Sequence, residues 1–196
     1  WTTLRVARVS ERRVDNQVLL DRQVVPPLLD VAAHPLPRGW LDGLLANNPN
    51  RWTALFLHFP LFSIDPDRDN SRVRDALKPL IDKYGVDLVL QAHDHGYARG
   101  AIGTGPMLNA GPAQPSDHGS TYVVSGAGPK MYPVADLGWA TRSASRTQTF
   151  QTLDVSQDAV TYRAFTATGR ELDAFRLIKG ADGVAGIETL AVDQDR

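Results

Sequence analysis

The chain has 196 residues, 42% of them hydrophobic and 22% charged, with a formal net charge of −1 and no cysteine. That length fills one hydrophobic core, the balance is that of an ordinary globular protein, and near-neutrality argues against a nucleic-acid partner. Disulfides and cysteine-bound zinc are excluded, so any metal must sit on His, Asp, Glu, Asn, Tyr or water. No apolar run approaches the roughly 20 residues that a membrane-spanning helix needs, so no membrane partner is expected.

In chain order, Thr3 to Val9 and Gln17 to Val25 are β-leaning runs separated by Ser10-Glu11-Arg12-Arg13 and Asp15-Asn16. They predict an antiparallel hairpin with a long turn. The Pro-rich stretch from Pro26 to Pro37 reads as irregular. From Arg38 to Asn47, Trp40, Leu41, Leu44 and Leu45 share one helical face, and Pro49 ends the helix. Trp52 to Phe59 is nearly continuous apolar sequence, as expected of a central strand covered on both faces. Ser63 to Asn70 is a polar loop. Its Asp65, Asp67 and Asp69 alternate like a calcium loop but lack that motif's glycine and terminal glutamate, so a solvated loop is expected.

Asn70 or Ser71 can cap the next helix, where Val73, Ala76, Leu77, Leu80, Ile81 and Tyr84 recur at helical spacing. Pro79 inside this pattern predicts a kink or break near Lys78, and Gly85 is the stop. Val86 to Leu90 is a short buried strand. Residues 52 to 91 therefore spell β-α-β, which implies a parallel pair with a right-handed crossover. Gly100 to Gly119 reads as loop and Ser120 to Ser125 as a strand. Thr147 to Val155, Ala159 to Thr166 and Leu172 to Ile178 form a β-meander. Residues 1–179 are expected to make one unit, with 180–196 a tail, partly disordered, without strong pattern.

The chemistry concentrates in "LVLQAHDHGYARG", Leu88 to Gly100, where two of the chain's five histidines stand one residue apart. At a strand's end, His93 and His95 are expected to leave on one face, at the edge where open α/β sheets bind ligands. His58 closes the preceding strand. Alone it reads as a packed core histidine; beside the other two it joins a convergent set. Three neutral imidazoles hold Zn²⁺ or a similar ion and leave a position open. Such an ion activates water and polarises a phosphoryl or carbonyl oxygen. His34 and His118 lie in loops and read as solvated.

"TALFLHFPLFS", followed by "YGVDLVLQAHDHGYARG", resembles the last two motifs of the calcineurin-like metallophosphoesterases, and most of all their purple acid phosphatase branch. Leu55-Phe56-Leu57-His58 is similar to V-x-x-H. Ala92-His93-Asp94-His95, with Tyr97 and Arg99 behind it, is similar to G-H-x-H. "GWLDGLLAN", "STYVVSGAGPKMY" and "LDAFRLIK" extend the likeness over residues 38 to about 179. The resemblance implies the C-terminal portion of an α/β metallophosphoesterase sandwich: a β-sandwich flanked by helices, with a β-α-β unit and a C-terminal meander. It implies a divalent or dinuclear metal cofactor (Fe, Mn or Zn), with His58 and His93 on one ion and His95 on the other. The partner it implies is a small phosphate-ester substrate. Many relatives of that branch are exported.

The earlier motifs of that family, D-x-H, G-D-x-x-Y and G-N-H-[ED], do not occur here, and Asp15, Asp21 and Asp30 stand in the wrong context. Together with a start at Trp1 rather than Met, this predicts the C-terminal part of a longer enzyme, whose missing N-terminal segment would leave a central strand edge unpaired. The competing expectation is a catalytically dead binding or structural module on the same fold.

Overall fold

A computed structural model describes residues 5–14, 17–21, 38–103, 119–135 and 138–192. It forms three layers: helices, a seven-stranded mixed sheet and a four-stranded antiparallel sheet. The first sheet contains β1 (Arg5–Val14), β2 (Gln17–Asp21), β3 (Thr53–Leu57), β4 (Leu88–Gln91), β5 (Tyr97–Ile102), β6 (Ser120–Ser125) and β7 (Arg142–Ala144), in the order β2-β1-β3-β4-β6-β5-β7. The second contains β8 (Thr149–Val155), β9 (Ala159–Thr166), β10 (Glu171–Lys179) and β11 (Ala185–Thr189), in the order β11-β10-β9-β8. The architecture is α/β, with the expected β-α-β unit followed by the expected meander.

Side-chain alternation builds both halves of the core. Leu55, Leu57, Val89, Ala98, Ile102, Tyr122 and Val124 face helices α1 (Arg38–Ala46) and α2 (Ser71–Tyr84). They pack there on Leu41, Leu45, Leu77, Leu80 and Ile81. The intervening Leu88, Tyr97 and Val123 face the second sheet and meet Val160, Tyr162, Ala164, Phe175 and Leu177. A strand with two buried faces needs apolar residues at consecutive positions, and β3, β4 and β6 supply them.

The β3–β4 pair is parallel, with Leu57 opposite Gln91. Its crossover helix ends at Gly85, whose left-handed backbone (φ 59°) lets Val86 N–H bond back to Ile81 C=O at 3.0 Å. Just before β4, buried Asp87 accepts Thr53 N–H at 2.7 Å and pairs with Lys179 at 2.9 Å. The two parallel strands are thus locked in register at their starts, and they deliver their ends to the same place.

Several expectations need correction. Pro79 does not break α2, which runs unbroken from Ser71 to Tyr84. Pro79 and Asp75 are both exposed, so the carbonyl left without its N–H faces solvent. Asn70 precedes the helix without capping it: its side-chain amide donates to Pro60 C=O instead. The hairpin is present, but its turn is shorter than expected, because Ser10 to Arg13 belong to β1 and a register shift between Val9 and Arg13 absorbs them. β1 also covers the far edge of β3, so the edge expected to stand unpaired is paired.

Gly100 lies within β5 and not in a loop. A Cβ at this position would sit 2.2 Å from the Trp139 carbonyl oxygen, so the glycine marks a close approach. Residues 180–192, expected to lack pattern, turn back at Gly183 and form β11 against β10. Residues 22–37 and 104–118, with His34 and His118, lie outside the described residues.

Candidate metal centre

The parallel register continues beyond the strands, since Ala92 N–H donates to His58 C=O at 3.2 Å. That bond sets His58 beside the turn 92–96. β4 has already ended at Gln91, so the two histidines of the H-x-H do not alternate along a strand as expected. His93 instead adopts a left-handed backbone (φ 67°), which is uncommon outside glycine and costs about 1–3 kcal/mol. This swings its ring onto His58: His58 Nε2 and His93 Nδ1 are 3.0 Å apart, with the rings edge to face. Phe59 packs against both rings.

His95 takes a separate position. Its ring meets Tyr132 edge to face at 5.2 Å, and its carbonyl accepts Tyr132 N–H at 2.6 Å. Gly128 gives it room, because a Cβ there would lie 2.7 Å from His95 Cε1. The Nδ1 of His95 is buried and has no hydrogen-bond partner. Among the described residues, no ring contact or hydrogen bond joins it to the other two histidines. Among the described residues, no group of three His, Asp or Glu side chains is gathered as a ready metal cage.

Burial is the first cause that lowers the pKa of both His58 and His93. For His58, the charge that His95 would carry adds to this. For His93 the next cause is Arg68, followed by His58. Both imidazoles are therefore biased toward the neutral form, which is the form that ligates metal.

The donor geometry fits an ion on the pair. Two nitrogens each about 2.0–2.1 Å from a tetrahedral ion stand roughly 3.3 Å apart, close to the 3.0 Å observed between His58 and His93. The unpartnered Nδ1 of His95 is a further free donor. Both positions supply nitrogen donors only, so a divalent ion held there would still need a carboxylate.

Asp94 is not that carboxylate. Fully buried between the histidines, it turns away from them: Oδ2 accepts Ser63 O–H at 2.6 Å and Ile64 N–H at 3.0 Å, and Oδ1 pairs with Arg68. Gln91 Oε1 accepts Leu61 N–H at 2.6 Å. These bonds pin the loop after His58 to the H-D-H turn, and sequence patterning carried no sign of them. Tyr97 and Arg99, quoted with the motif, lie in the interior. Arg99 clasps Asp173 of β10 with two bonds of 2.8 and 2.9 Å, and Tyr97 O–H donates to the same carboxylate at 2.8 Å. They join the two sheets.

The two sheets with their flanking helices form a fold like that of a phosphatase. The structure of purple acid phosphatase PPD1 from yellow lupin (Lupinus luteus) seeds superimposes with a TM-score of 0.53 at 16% identity, over 74% of this chain and 28% of that one. This relation is one of fold. In sequence, the chain is 30% identical over 116 residues to the uncharacterized proteins MT2654 and Rv2577 of two Mycobacterium tuberculosis strains. The chain spans 22% of the length of these relatives, and the match takes in 51% of its own residues. Residues 1–58 match the model of a different family, described as "Bacterial Type VI secretion, VC_A0110, EvfL, ImpJ, VasE". That match stops at His58, before the H-D-H turn.

Proposed function

We propose that this chain carries part of the metal centre of a phosphoester hydrolase, with His58 and His93 on one ion and His95 facing a second position. The 3.0 Å approach of His58 Nε2 to His93 Nδ1 carries this reading. The separation of the three histidines into a pair and a single donor supports two positions rather than one. Fe, Mn or Zn suits such donors, and a bound ion would polarise the phosphoryl oxygens and lower the pKa of water. The chain's own contribution is to hold neutral imidazoles in place, through the backbone of the 92–96 turn and the anchored loop after His58. Positioning of this kind supplies much of the catalysis in phosphoryl transfer.

With neutral donors alone at the pair, the chain by itself is expected to show negligible turnover of a phosphate monoester or diester with Mn²⁺, Zn²⁺ or Fe²⁺. A longer form that adds a carboxylate and a dyad histidine from an N-terminal segment is expected to hydrolyse phosphate esters, and His95→Ala to abolish that activity. Turnover by the chain alone that disappears in His95→Ala would contradict the proposed division of the site.

A second reading, a binding or structural module, is favoured by the match of residues 1–58 to a Type VI secretion family. A longer form that binds metal but turns over neither ester class would select the module.

A further inference from the structure

His95 stands apart from the pair, and residues 126–132 run across the H-D-H turn and cover its ring. Two glycines let them pass so close. A Cβ on Gly126 would lie 2.8 Å from His95 Cα, and one on Gly128 would lie 3.1 Å from Nδ1 against 3.9 Å from Nε2. The strap therefore covers the Nδ1 edge of the ring, the nitrogen that is buried without a partner, while Tyr132 meets the ring edge to face. Backbone bonds pin both ends, Gly126 N–H to Gly96 C=O at 3.2 Å and Tyr132 N–H to His95 C=O at 2.6 Å. Among the described residues, one side chain bonds the middle: Gln148 Nε2 donates to Gly128 C=O at 2.9 Å. Gln148 is itself held in place. Its own carbonyl accepts Ala167 N–H at 3.0 Å, and the hydroxyl of the next residue, Thr149, bonds that of Ser125 at 2.5 Å.

We propose that Gln148 is a positioning residue for His95: through the Gly128 carbonyl it holds the 126–132 strap against the imidazole and fixes the ring for the second metal position. This inference rests on the metal reading and deepens it. A buried nitrogen without a partner costs about 1–3 kcal/mol, and such an arrangement persists only where its surroundings enforce it. Gly128 has no side chain to anchor it and a permissive backbone, so its place over the ring depends on what holds its carbonyl. Released from Gln148, that carbonyl would turn to water and the ring would gain freedom. A ligand that must be ordered on each binding event binds its ion less tightly, which is why residues behind metal-bound histidines matter to affinity. All three histidines follow strands of the first sheet, whereas Gln148 stands just before β8 of the second. The same bond therefore ties the second sheet to the site.

Histidine-ring ¹H–¹⁵N spectra of the metal-free chain, and through a titration with Zn²⁺, test the proposal in the parent, Gln148→Met and Gln148→Ala. Methionine keeps the length of the side chain and loses the donor. In both variants Zn²⁺ is expected to bind at His95 about tenfold more weakly, with the response of His58 and His93 unchanged. Adding Gln148→Met to Gly128→Ala is expected to cost little further affinity, since both changes act on the same wall. A glutamine that only stabilises the fold would lower the unfolding midpoint and leave affinity at His95 as it was. That result overturns the proposal while the metal reading stands, and so does an equal loss at His95 and at the pair, or a full additional loss in the double variant. A parent whose His95 signals ignore Zn²⁺ defeats the metal reading at this position. In that case, metal-free His95 ring signals that shift in both variants keep the positioning role, and signals that coincide with the parent's overturn it.

Discussion

Two polar clusters in this molecule follow opposite rules. Between the sheets, Arg99, Tyr97 and Asp173 bury a charge pair and satisfy it, with both carboxylate oxygens bonded and the guanidinium also reaching Thr141 and Thr189. Burial alone would lower the Arg99 pKa, and the bond to Asp173 outweighs it and raises it. Burial also holds the Tyr97 phenol well above its usual range. At the ends of β3 and β4, by contrast, His93 is forced into a left-handed backbone, two ring nitrogens face each other, and His95 Nδ1 is buried without a partner. The first cluster is closed and the second is left open. Backbone strain and one buried nitrogen without a partner, His95 Nδ1, persist where the surrounding structure over-determines them, which is characteristic of functional sites.

The closed cluster should break hardest. Asp173→Ala strands Arg99 in the interior and leaves Tyr97 O–H without its acceptor. Removing one partner of a buried ion pair costs about 3–5 kcal/mol, so urea unfolding should show a loss of that order. A loss near zero would mean that the pair is hydrated and does not join the sheets.

Next in size is Gly100→Ala, whose Cβ would be driven into the Trp139 carbonyl at 2.2 Å. Overpacking of this kind costs about 1–3 kcal/mol, and thermal unfolding should report it. At the open cluster, Gly128→Ala would place a Cβ 2.7 Å from His95 Cε1. His95 is only half-buried and the contact falls on the far end of its side chain, so the expected loss of stability is under about 1 kcal/mol. Metal bound at the His95 position should nonetheless weaken, as calorimetry with Zn²⁺ can show. Equal losses of stability in Gly100→Ala and Gly128→Ala would erase the contrast between core and site.

The smallest effect is on pH. The pKa values of His58 and His93 are lowered on folding, with burial first. Unfolded imidazoles titrate at about 6.5, so below that pH the unfolded chain takes up protons that the folded chain refuses. Stability contributed by the neutral pair is therefore complete above about pH 6.5 and is lost as pH falls through the lowered folded values. Urea midpoints measured from about pH 8 down to about pH 5 should fall more for the parent than for His58→Gln/His93→Gln. Identical pH dependence in the two proteins would show that these imidazoles titrate freely.

The same contrast governs what the sequence revealed. Apolar runs at 52–59 and 86–90, joined by a helical pattern and stopped by Gly85, yield the parallel unit because each rests on local periodicity. The meander at 147–178 is legible for the same reason. Gly100 reads as a loop residue because a close tertiary approach leaves no local trace. β11 contains Gly186 and lacks a clean alternation, so its pairing with β10 is visible only in three dimensions. The three histidines were legible from their spacing. Their division into a pair and a single position came from the motif resemblance and not from the spacing, because a positive φ at His93 overturns the strand alternation that the spacing implied. Asp94 and Arg68 were invisible in the sequence, since nothing in "AHDHG" or "DPDRDN" announces that the two side chains meet.

The role proposed for the hydrogen-bonded His58 Nε2 and His93 Nδ1 is to ligate a metal ion. Long-range ¹H–¹⁵N spectra of the histidine rings, recorded during titration with Zn²⁺ at neutral pH, test it most directly. The account predicts that His58 Nε2 and His93 Nδ1 move together to the range of metal-bound nitrogen, and that His58→Ala removes the response of His93. Ring signals of His58 and His93 that stay unchanged while Zn²⁺ saturates, or a His93 response that survives His58→Ala, would contradict it.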